Sequence, residues 1–289
     1  MNTRSALLGL HLGALAFGLS GIFGVMADTS PIAIVSGRAL FAALALGVFL
    51  LAIRKPLRIT VRHLPWLAVG GLLLGGHWLS FFESVRVSGV GIATLGFASF
   101  PAFTVLLEVL LLGERPRARE YLVVTLVSIG LLMVAPALDP SDSNPLGLLW
   151  GVVSGLLFAL LSLLGRTSAR HVDPIQAALG QNLVAMACSL PFAGATLQGL
   201  AAPQWFWVAL LGVLCTGLAH SLLITSLRVV KARTAAVIFA LDPVYGIGFA
   251  WLLLKQPPTL GMLAGGSLII FAVCMGATQS GSVQTPRTA

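Results

Sequence analysis

Few side chains in this chain can do chemistry, and each stands in an apolar run. The charged ones are Arg38, Glu83, Glu108 and Asp242, and the imidazoles are His11, His77 and His220. A charge at the centre of a lipid bilayer costs about 2.5–3.5 kcal/mol on insertion scales, so each needs a reason. Asp242 stands directly before Pro243. A carboxylate there suits a ligand ammonium or a coupled proton; paired with Arg38, it would instead hold the bundle together. Arg38 offers a planar fork of donors matched to a carboxylate, either a ligand's or that of Asp242. Its long stem would also let it snorkel to an interface. His77 and His220 change charge near neutral pH, which suits proton coupling, and they equally suit hydrogen bonds between helices. Gln181, Trp78, Phe100 and Tyr245 complete the candidate lining, and the prolines Pro101 and Pro243 are candidate flexing points for gating. Glu83 and Arg86, three apart, pair locally, and Glu108 reaches basic residues beyond its helix end.

No constellation points to catalysis. There is no Gly-rich phosphate loop, hence no ATP hydrolysis in this chain. The three cysteines, Cys188, Cys215 and Cys274, show neither metal nor disulfide spacing and read as packing residues, so neither cofactor nor metal is expected.

The elements that carry these residues are membrane spans. Of 289 residues, 57% are hydrophobic and 9% charged, too few charges to coat a soluble domain of this size. Apolar stretches of spanning length fall near 6–27, 32–53, 64–85, 90–112, 121–138, 146–165, 174–197, 204–227, 234–254 and 259–278. The first is expected to be a retained span rather than a cleaved leader, because the first half needs it as its fifth helix. With both termini cytoplasmic, 14 of the 17 Lys and Arg fall on the cytoplasmic side, among them Arg54, Lys55, Arg58 and Arg62. The net charge of +8 therefore reports topology and not a nucleic-acid partner.

The chain is also duplicated. At an offset of 142, Ser84 meets Ser226, Arg86 meets Arg228, Phe97 meets Phe239, Pro101 meets Pro243 and Pro116 meets Pro258. Upstream, Gly70 and Gly75 meet Gly212 and Gly217. At 143, Pro31-Ile32 meets Pro174-Ile175 and Gly37-Arg38 meets Gly180-Gln181; at 141, Phe17 meets Phe158. Five spans per half force the second half into the membrane upside down, the arrangement of carriers that open a mid-membrane site to each side in turn. The expectation is an all-α membrane protein of ten transmembrane helices in two inverted repeats, 1–140 and 141–289.

These repeated features, above all Ala93 to Pro116 and Ala235 to Pro258 with their mid-span prolines and proline-marked turns, together with Arg38 and the Phe17-Gly18 and Phe158-Ala159 pairs, resemble the drug/metabolite transporter superfamily in its ten-helix EamA-type branch. The resemblance implies movement of small organic metabolites, often amino acids, through a cavity lined by spans one to four and six to nine. It favours export. Two departures stand out: Phe17 and Phe158 occupy positions where many relatives carry Trp, and Lys255-Gln256-Pro257-Pro258 lacks the acid that Glu114 supplies in the first half. The expected partners are a small-molecule substrate and membrane lipid; the oligomeric state is left open. Two rival classes are an intramembrane enzyme acting on a lipid-linked substrate, for which Asp242 with His220 is the available pair, and a non-transporting membrane sensor or assembly subunit.

Overall fold

The computed structural model describes residues 3–113, 118–134, 144–168, 173–219, 222, 226, 238 and 241–277. Within them lie ten α-helices and no strand: α1 (Thr3–Met26), α2 (Pro31–Ala52), α3 (Leu64–Phe97), α4 (Phe100–Leu112), α5 (Ala118–Val134), α6 (Asn144–Ser168), α7 (Pro174–Gln198), α8 (Ala202–Gly212), α9 (Asp242–Leu254) and α10 (Leu260–Ala277). A π-helical segment, Val213–Leu218, continues α8. Five helical stretches are long and apolar enough to cross a membrane alone. The shorter apolar helices include α4 and α9, which the sequence reading makes the far parts of broken spans.

The breaks have local causes. Gly89, at φ +80°, interrupts α3 between the third and fourth apolar stretches. Only glycine adopts that angle without strain. The fourth stretch breaks again after Phe97 and resumes at Phe100. Pro101, read from the sequence as a mid-span flexing point, does not interrupt a continuous helix. Pro101 instead lies in the first turn of α4, where its missing N–H would have no helical partner anyway. The Phe97 carbonyl faces protein: α6 approaches so closely that a Cβ on Gly155 would stand 3.0 Å from that oxygen. Pro243 opens α9 in the same way, and the Phe103 N–H to Ser99 carbonyl bond of one half recurs as Tyr245 N–H to Leu241 carbonyl in the other.

The halves interlock by exchange. α1 packs on α9 as α6 packs on α3 and α4; α3 meets α7 as α2 meets α8; α2 pairs with α7, and α5 with α10. Loops that an odd number of spans per half sends to one side do touch. At one end Gln204 Nε2 donates to the Asp28 carbonyl (2.8 Å), and Gly89 lies beside Gln256. At the other end Lys55 reaches Asp173, and Gln176 Nε2 donates to the Pro56 carbonyl (2.8 Å). Of the free cysteines, Cys215 is buried, Cys274 half-buried and Cys188 exposed.

The repeat extends to the last turn of its helices. Gly113 closes α4 at φ +65°, and its mate Lys255 closes α9 at φ +59°. A left-handed lysine carries about 1–2 kcal/mol of strain that glycine avoids. Gly113→Ala is therefore expected to lower stability by about 1 kcal/mol, and Lys255→Gly to raise it by about 0.5 kcal/mol. Thermal unfolding of the detergent-purified protein checks both signs.

Candidate functional site

Arg38 is the centre of the polar interior. Its position in the middle of α2 puts it among helices of both halves, and it is only 3% exposed. It does not snorkel. Nε donates to Thr216 Oγ1 (2.8 Å) on the π-helical segment, and Nη1 donates to Ser20 Oγ (3.0 Å) on α1. The guanidinium lies over the Trp78 ring of α3, 4.2 Å from its centroid, with Phe82 beyond at 5.9 Å. Hydrogen bonds and the aromatic face offset part of the cost of a dry cation. No carboxylate among the described residues pairs with it.

The π segment explains the reach of Thr216. Its hydroxyl also lies 3.3 Å from the Leu211 carbonyl, five residues back, which fits the wider turn. Such single-turn bulges recur at functional sites. Close approach of α8 to α2 needs Gly212, because a Cβ there would stand 2.6 Å from the Arg38 carbonyl oxygen. The other half repeats this backbone contact one residue on, at Gly71, where a Cβ would stand 2.8 Å from the Gln181 carbonyl oxygen, and the Gln181 side chain lies over Gly70. The backbone contact is thus duplicated but its polar chemistry is not. Gln181 replaces Arg38, and Leu74 stands where the repeat places Thr216.

His77 is buried on α3, within electrostatic reach of Arg38. Its Nδ1 lies 2.8 Å from Ser154 Oγ on α6, and the Ser154 hydroxyl donates back to the His77 carbonyl (3.1 Å). Because Ser154 spends its proton on that carbonyl, Nδ1 is assigned the imidazole proton and donates to Oγ. The ring packs against Phe97 (5.1 Å) and Phe158 (5.0 Å). Phe100 completes this aromatic wall, stacked on Phe97 at 5.3 Å and edge-on to Phe158 at 5.2 Å.

Asp242 is the first residue of α9, where the helix dipole favours a negative charge. Its Oδ1 is buried and meets no donor among the described residues. No ion pair joins it to Arg38 there; Cys215 lies within electrostatic reach of both. Tyr245, one turn on, packs against Gly18 of α1, and its hydroxyl lies 3.4 Å from His11 Nδ1. His220 lies outside the described residues. Glu83 and Arg86 form the local pair expected of their spacing, at 2.7 Å.

Sequence reasoning did not single out Ser20, Thr216 or Ser154. All three are hydroxyls within apolar spans, a usable signal once a buried cation needs acceptors. The π turn leaves no such mark.

The EamA-like transporter family matches the chain twice, over residues 4–135 and 145–277. An uncharacterized transporter of Archaeoglobus fulgidus is 25% identical over 194 residues, 67% of this chain and 69% of its own. The uncharacterized transporter YxxF of Bacillus subtilis is 23% identical over 249 residues, 84% of this chain and 80% of its own. Protein RarD of Escherichia coli is 35% identical over 79 residues, 27% of each chain. A crystal structure of another protein superposes with a TM-score of 0.67 at 18% identity, covering 98% of this chain and all of the other, which speaks to fold alone.

If Thr216 holds Arg38, Thr216→Val should destabilise the protein by about 1–2 kcal/mol and Thr216→Ser by less than half of that. Unfolding of the two variants side by side in detergent measures it.

Proposed function

The chain belongs to the EamA-like transporter family, and from that premise we propose that it is a secondary active transporter exporting a small polar or amphipathic metabolite, an amino acid before other classes. Two inverted halves would expose the space beside Arg38 first to one face of the membrane and then to the other. The setting is a cell's inner membrane, with both termini cytoplasmic, as the distribution of basic residues argues. Domains 1–140 and 141–289 act as one bundle.

One observation carries the substrate class. A buried guanidinium is held by two hydroxyls and an aromatic face, with no protein carboxylate beside it among the described residues. A substrate carboxylate is the natural counter-charge for such a group. Asp242, with an unpartnered carboxylate oxygen, serves the ammonium or carries the coupled proton. His77, with Nδ1 engaged by Ser154, orients the wall around Phe97, Phe100 and Phe158. Trp78 braces Arg38. Pro101 and Pro243, at equivalent helix starts, mark where the halves flex.

The test is uptake into vesicles reconstituted with pure protein under an imposed pH gradient, comparing radiolabelled amino acids, nucleosides and sugar phosphates. An amino acid should accumulate. Arg38→Lys should lower kcat/KM for it by about tenfold to a hundredfold, the worth of one charge-assisted hydrogen bond. Asp242→Asn should abolish the response to the gradient. Accumulation of no amino acid would remove the substrate class, and an unchanged pH response in Asp242→Asn would remove the proton role.

A further inference from the structure

The two ends of the α2–α7 pair are built differently. Both helices begin with a side-chain cap at matched positions. Ser30 Oγ accepts from the Ala33 N–H at the start of α2, and Asp173 Oδ1 accepts from the Ile175 N–H at the start of α7. The inverted duplication places these caps at opposite ends of the bundle. Ser30 carries no charge, and Gln198 occupies the position matched to Lys55. Asp173 does carry one, and Lys55 Nζ meets its Oδ2 at 2.5 Å across the boundary between the halves. Beside that pair the backbone N–H of Arg58 donates to Gln176 Oε1 (2.9 Å), while Gln176 Nε2 donates to the Pro56 carbonyl (2.8 Å).

Lys55 is aimed by its backbone. The Lys55 N–H bonds the Leu50 carbonyl (3.0 Å) and the Arg54 N–H bonds the Leu51 carbonyl (3.0 Å), the two bonds of a Schellman closure. Arg54 takes the left-handed position at φ +51°, a site where glycine would be free of strain. Partial burial pushes the Asp173 carboxyl up, but the Lys55 ammonium and the Gln176 and Ile175 N–H groups outweigh it and hold the group below its usual range. Asp173 is therefore ionised at neutral pH. At the opposite end the bond between halves runs from the neutral Gln204 side chain to the Asp28 carbonyl.

We infer that Lys55 and Asp173 form a charged latch that holds α2 and α7 together at this one end, so that a fold with two nearly equivalent faces rests closed on the face bearing residues 53–63. The inference rests on the alternating-access reading above. Opening at this face separates the ion pair and the Gln176 bonds; opening at the other leaves them intact. A partly exposed pair of this kind shifts an equilibrium by about two- to fivefold.

The natural reporter is Cys215, buried beside Arg38. In a Cys188→Ala, Cys274→Ala background, its labelling by a membrane-impermeant thiol reagent is timed from each face in oriented vesicles. Two variants break the latch: Lys55→Gln, and Asp173→Ser, which keeps a helix cap of the kind already used at Ser30. Labelling from the 53–63 face should quicken about two- to fivefold in both, with no gain from the opposite face. High salt should narrow the difference. Unchanged rates from the 53–63 face, or equal acceleration from both faces, would overturn the latch. Failure of alternating access looks different: unmodified Cys215 would then react from one face only.

Discussion

A buried guanidinium with no carboxylate beside it among the described residues is the constraint from which the rest of this interior follows. A charge in the bilayer core is costly, and Arg38 meets that cost with hydroxyls from two other helices and the face of Trp78. Ser20 and Trp78 belong to the first half, and Thr216 to the second. Neither half alone could hold the cation, so the site ties the repeats into one bundle. The close approaches around it serve that end. Gly212 lets α8 lie against α2, and the π segment turns Thr216 toward Nε.

Duplication supplied matching backbones, and divergence supplied the chemistry. Helix starts at Pro101 and Pro243, left-handed ends at Gly113 and Lys255, and caps at Ser30 and Asp173 recur at nearly one offset. The polar side chains of the site and of the α2–α7 end do not recur. Arg38 answers to Gln181, Asp242 to Phe100, and Lys55 to Gln198. On the transporter reading proposed here, two-fold backbone symmetry is what would allow two equivalent open states. Polar side chains without a mate in the other half would then give such a fold a single binding orientation and a preferred resting face.

Most of the fold was legible in the sequence because it is written in spacing. Apolar stretches gave the helices to within a few residues, as with Pro31–Ala52 and Pro174–Gln198. The positions of Pro and Gly, poor in composition-driven coincidences, gave the repeat. What could not be read was interruption. A proline shows where a helix lacks a donor, but it does not say whether the helix kinks or ends, and at Pro101 it had already ended. The site was legible in part. Arg38 and Asp242 stood out because charge is rare in such spans, and their suggested pairing is absent among the described residues: Arg38 is held by Ser20 and Thr216, while Asp242 stands at the start of α9 with Oδ1 unpartnered. Ser20, Thr216 and Ser154 were hidden by their ordinariness. A hydroxyl in a membrane helix usually bonds its own backbone, as Ser162 does with the Phe158 carbonyl, and only the packing shows which ones face a cation.

On the transporter reading, the space beside Arg38 opens to each side of the membrane in turn. Ser20, whose hydroxyl accepts from that guanidinium, is the position from which to measure it. With the three native cysteines replaced by alanine, Ser20→Cys is exposed in oriented vesicles to an impermeant thiol reagent from one face and then, in separate vesicles, from the other. Labelling from both faces, each slowed by a ligand the protein transports, is the predicted result. Labelling confined to one face under every condition would contradict the account.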